Sequence, residues 1–116
     1  QDKDIRLLSY KILIEKFNEK WGGNLSTKQR NLLKEYINNI SNTTKLKDYL
    51  ISEITKSTSQ LNKLAKQVSN KVVKIKLQEV STQMKAITID NNIKDKYIIS
   101  LMRTYDLIQE VKNVIK

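Results

Sequence analysis

The 116 residues include no histidine and no cysteine, so the general-base and nucleophile pairs that enzymes use most cannot be built. Carboxylates, lysine, serine and tyrosine are the side chains left to act on a substrate. Glu15 and Glu19 stand one helical turn apart, a spacing that could make an acid–base pair. Lys11, Lys16 and Lys20 surround them, however, and opposite charges at that spacing read as a solvated helix face. A metal site built from oxygen alone needs clustered acids, whereas the 12 acids here are dispersed and no acidic calcium-binding loop occurs. Gly22-Gly23 lacks the strand context and the lysine–serine ending of a phosphate-cradling loop. The expectation is a chain that is not an enzyme and carries no metal or cofactor.

What the sequence does concentrate is positive charge. Lysine and arginine number 22 against 12 acids, a net charge of +10, enough to favour association with anionic surfaces. Residues 54–78 contain Lys56, Lys63, Lys66, Lys71, Lys74 and Lys76 and not one acid. If the segment is mostly helical, Lys56, Lys63 and Lys74 share one face opposite the apolar stripe, flanked by Lys66 and Lys71. Phosphates or acidic side chains could line up along such a face. A lysine-rich protein also needs a solvated face, and lysine, asparagine and isoleucine together supply 45 of 116 residues, all with A- and T-rich codons, so genome composition accounts for part of the bias. Lysine without interleaved aromatics suits backbone contact rather than base readout.

A second basic group, Lys28, Gln29, Arg30 and Asn31, falls in the first turn of a predicted helix, where a helix-turn-helix protein places its base-reading residues. A long first helix ending in a double glycine does not match the compact turn of that motif. A capped surface turn is the competing reading.

These residues need helices to position them. With no proline and two adjacent glycines, little in the chain would interrupt a helix. Leu7, Tyr10, Ile14, Phe17 and Trp21 recur at steps of three and four behind the candidate caps Asp2 and Asp4, and Gly22-Gly23 should stop that helix. Ser26 and Gln29 have capping-box spacing ahead of a second helix with Leu33, Tyr36, Ile37 and Ile40 inward. Asn42, Thr43 and Thr44 offer caps for a third from about Lys45, with Leu50, Ile54, Ser57, Leu61, Leu64 and Val68 in heptad-like steps. The stripe Val73, Leu77, Val80, Met84 and Ile87 is rotated from the previous one by about a third of a turn, which points to a break near Ser69-Asn70. A last helix should follow Asp90, Asn91 and Asn92, with Ile98, Leu101, Tyr105 and Ile108 inward and Val111 or Ile115 closing the stripe. The expected fold is one all-α domain over 1–116, an antiparallel bundle of five helices, or four if the third and fourth fuse. No apolar run approaches the roughly 18 residues that span a bilayer, so a soluble chain is expected. It opens on Gln1 without a signal-peptide pattern, which reads as a trimmed or processed start.

The stretches LSTKQRNLLKEYINNISNT (25–43), NKVVKIKLQEV (70–80) and SLMRTYDLIQEVKNV (100–114) resemble small helical proteins of marine myovirus-type tailed bacteriophages. The resemblance spans most of the chain, from about Phe17 onward. It implies a non-enzymatic role in capsid assembly or virion structure; the location is left open, with host cytoplasm and virion as the candidates. Three functional readings follow: an assembly protein docking its basic face on an acidic protein partner, a sequence-independent nucleic-acid binder using the same lysines, and a regulator holding a partner's helix in a groove. The third requires an exposed apolar patch. The oligomeric state is left open.

Overall fold

The computed structural model describes residues 2–87 and 95–115, and for 2–6, 95 and 96 the backbone alone. Its described residues form five helices: α1 (Asp2–Lys20), α2 (Thr27–Asn38), α3 (Thr43–Gln67), α4 (Lys71–Lys85) and α5 (Asp95–Ile115). The protein is all-α, as its patterning requires. Two compact units divide the chain, Gln1–Leu46 and Lys47–Lys116.

In the first unit, α1 ends as its sequence dictates. Gly22 and Gly23 take φ of +63° and +80°, and the amide N–H of Gly23 donates to the Asn18 carbonyl at 2.8 Å while that of Gly22 donates to Glu19 at 3.1 Å. This paired closure satisfies carbonyls that the end of a helix leaves free, and it needs left-handed backbone that glycine adopts without strain. Trp21 lies beyond the last turn with its ring centroid 5.9 Å from that of Phe17. Helix α2 opens with the complete capping box: the Gln29 N–H donates to Ser26 Oγ at 3.2 Å and the Ser26 N–H to Gln29 Oε1 at 2.8 Å.

Two inward assignments in this unit need correction, and the candidate caps are set aside. Leu7 is 54% exposed, because α1, at 19 residues, outruns the 12-residue α2 by about 10 Å. Ile40 is also 54% exposed. Asn39 ends α2 before it, with its Nδ2 donating to the Glu35 carbonyl at 2.9 Å, so Ile40 falls outside the helical stripe. The candidate caps Asp2 and Asp4 lie outside the described side chains. Leu32 and Leu25, not assigned to the stripe, are buried beside Leu33 and Ile37.

The second unit holds most of α3 together with α4 and α5. Asn42 caps α3, its Oδ1 accepting from the Lys45 N–H at 3.2 Å. Helix α3 breaks after Gln67, and Asn70 restarts the chain as the cap of α4, its Oδ1 accepting from Val72 at 2.9 Å and Val73 at 3.2 Å. A short polar side chain here satisfies two amide donors that the first turn of α4 would otherwise leave unpaired. The break expected near Ser69-Asn70 is therefore real, and the third and fourth helices are separate. The expected start of the last helix after Asp90, Asn91 and Asn92 lies outside the described residues.

Leu61, Leu64 and Ala65 of α3, Leu77 of α4, and Ile108 and Val111 of α5 make one buried cluster. Residue numbers rise together from α3 to α5, since Tyr105 bonds Glu53 while Lys112 and Ile115 line one cleft with Lys63 and Gln67; these two helices run parallel. Helix α4 returns between them, with Val72 beside Val114 at one end and Ile87 beside Ser100 at the other. The inward stripes of α3 and α4 hold, with Leu50, Leu61 and Leu77 fully buried. Val111 rather than the 37% exposed Ile115 closes α5.

Candidate functional site

The six lysines of the acid-free segment are all exposed, but the break at 68–70 divides them. Lys56, Lys63 and Lys66 stand on α3; Lys71, Lys74 and Lys76 stand on α4. A single lysine face running through one helix does not form, because α4 turns back against α3. On α3, Lys56 and Lys63 are seven residues apart and share a face. Lys56 Nζ lies 3.6 Å from Glu53 Oε2, an ion pair worth well under about 1 kcal/mol with its lysine in solvent. On α4, Lys76 points into the seam with α5, on the other side of the helix from Lys71.

Of the second basic group, Lys28, Arg30 and Asn31 are exposed. Gln29 is not: it is fully buried and its Oε1 is held by the Ser26 amide. The capping box consumes this side chain, which removes Gln29 from the residues that could contact a nucleic acid.

Glu53 anchors a long-range side-chain hydrogen bond in the second unit. Tyr105 Oη donates to Glu53 Oε1 at 2.5 Å. Burial pushes the Tyr105 hydroxyl well above its ordinary pKa, and the hydrogen bond to Glu53 and the nearby charges of Glu53 and Tyr49 push it the same way. Tyr105 is therefore a protonated donor that ties α5 to α3. Among the described residues no three carboxylates come together in a way that could hold a metal ion, and no helix is long and apolar enough to cross a membrane.

Comparison with protein families, curated proteins and solved structures gives no match. The site must be read from this chain's own geometry.

That geometry contains a feature the lysine pattern did not reveal. A cavity of about 440 Å³ opens between α4 and α5, lined by Val80, Met84, Leu107, Lys76, Arg103 and neighbours. A second, of about 560 Å³, continues past Lys76 and Leu107, which line both, to Val72, Val111, Val114 and Ile115. Together they form one groove along the seam, mostly apolar, with Arg103 towards its Ser100 end and Lys76 and Glu110 towards its Val114 end. One signal was available in the sequence: Val72 has no place on the inward stripe of α4, and it lines the groove while 76% exposed.

Proposed function

We propose that this chain is a non-enzymatic structural or assembly protein that docks a basic helical surface on an acidic protein partner. The observation that carries the reading is the 54–78 segment: six exposed lysines, no acid, on two helices joined by a three-residue turn. Its electrostatics favour an anionic neighbour. The first turn of α4 has no acidic residue and begins with Lys71, so cations and the positive end of the helix dipole repel one another, and a carboxylate surface would relieve that repulsion. Lysine, unlike arginine, offers a compact charge without fixed bidentate geometry, which suits an extended acidic surface better than base-specific contacts. The resemblance to phage assembly proteins points the same way.

Titration of the protein against labelled poly-L-glutamate and random duplex and single-stranded DNA, each at low and high salt, tests this. The expected result is salt-sensitive binding to the acidic polypeptide, weakened roughly three- to tenfold when Lys56, Lys63 and Lys74 are together replaced by glutamine, with the helical circular-dichroism signal unchanged. Tighter binding to DNA than to polyglutamate would transfer the lysines to phosphate contact, with the steep salt slope that implies. Binding to neither at micromolar protein would end the reading.

A further inference from the structure

We infer that the α4/α5 groove receives a single acidic amphipathic helix from the partner, with the helix's apolar stripe in the groove and its carboxylates beside Lys76 and Arg103. The inference rests on the acidic-partner reading and adds where and in what form the partner binds.

The shape argument begins with helix periodicity. On α4, Val72, Lys76, Val80, Gln83 and Ile87 follow one another at steps of four and three, and on α5 so do Ser100, Arg103, Leu107, Glu110 and Val114; both rows line the groove. Two antiparallel helices whose rows face the same side leave a trough that a third helix fills by ridge-into-groove packing. From Ser100 to Val114 the trough is about 21 Å long, the length of a helix of roughly 14 residues. Its apolar end is already out of the protein's own core: Val72 is 76% and Val114 84% exposed. Two exposed valines lining the same cleft make an apolar patch, which isolated surface residues do not.

Charge selects the occupant. The groove lining contains Lys76 and Arg103 against a single acid, Glu110. Beyond Ile115 the adjoining cleft between α3 and α5 adds Lys63 and Lys112. An acidic helix would meet these cations while covering the valines, and a basic one would be repelled by them. A second copy of this chain would bring another +10 against the same surface, which disfavours self-docking. Nucleic acid would use the cations and leave the valines uncovered.

The probe is a fluorescein-labelled synthetic peptide of about 16 residues, with leucines at alternating steps of three and four and glutamates on the flanking positions, titrated into the full chain by fluorescence anisotropy. Two controls accompany it: the same composition scrambled, and the same leucine pattern with lysine for glutamate. The patterned acidic peptide should bind at least about tenfold more tightly than either. Val114→Asp and Lys76→Glu should each weaken it by about tenfold or more; both side chains are solvent-exposed, so the melting curve should not move. Equal binding of patterned and scrambled acidic peptides would overturn the groove while leaving the lysine surface standing. Binding of neither would overturn both. Equal binding of the lysine peptide would overturn the charge assignment. A concentration-dependent dimer in sedimentation, abolished by Val114→Asp, would give the groove to a second copy and overturn the proposal.

Discussion

On the inner face of α4, Leu77 and Met84 are 0% and 3% exposed, whereas Val72 and Ile75 on its outer side are 76% and 55% exposed. The same 15-residue helix thus holds two sets of apolar residues with different physical standing. Leu77 sits in a cluster fed by α3 and α5, and each such side chain taken out of water stabilises the fold by roughly 1.5–3 kcal/mol. Val72 and Ile75 leave most of that burial unrealised. The two sides show why an apolar residue in a helix is not evidence of a core position until its neighbours are known: the inner set holds the unit together, and the outer set is available to something else.

The sharpest way to break this comparison is to truncate one residue on each side. Leu77→Ala should cost about 2–5 kcal/mol of unfolding free energy, by lost transfer energy and the cavity left behind. Val72→Ala should stay within about 0.5 kcal/mol. Denaturant titration followed by circular dichroism measures both, and comparable losses would show that the outer side is structural after all.

A smaller effect tests the frame around α4. Tyr105→Phe removes the hydrogen bond to Glu53 and should cost about 1.5–3 kcal/mol, the range for a bond to a charged acceptor. It carries a pH signature. The folded-state pKa of Tyr105 is raised, so above the unfolded value of about 10 the unfolded chain loses a proton that the native chain keeps. The stability that Tyr105 contributes is therefore full below about pH 10 and falls as pH rises through that value. Alkaline unfolding curves of the two proteins should converge above pH 10, because lysine deprotonation is common to both. A constant gap would remove the buried phenol from the account.

Smallest is the cap. Asn70→Ala should cost about 1 kcal/mol and speed hydrogen exchange at the Val72 and Val73 amides, which Asn70 Oδ1 accepts. Unchanged exchange there would mean that the 68–70 turn, rather than the asparagine, starts α4.

Much of this was legible in local pattern. The Gly22-Gly23 stop, the Ser26–Gln29 capping box, the break at Asn70 and the buried stripes through Leu50, Leu61, Leu77 and Leu101 all follow from rules that operate within about four residues along the chain. The lysines between 54 and 78 could be counted, but a common face for them was inconsistent with the break at Asn70 that the same local pattern indicates. It required an unbroken helix, and the same asparagine that caps α4 ends it. Ile40 was misplaced for a related reason, since Asn39 closes α2 one residue too early for the stripe to reach it.

The sequence by itself determined an all-α chain, its breaks at Gly22-Gly23 and Asn70, the buried stripe through Leu50, Leu61, Leu77 and Leu101, and how strongly basic it is, because helix capping and amphipathic periodicity are properties of neighbours in the chain. Only the tertiary structure decided that Tyr105 reaches Glu53 and that Lys76 and Arg103 line one groove with Val72 and Val114. Such partners lie on different helices, and their meeting is set by how helices pack against each other, which no spacing along a single helix encodes.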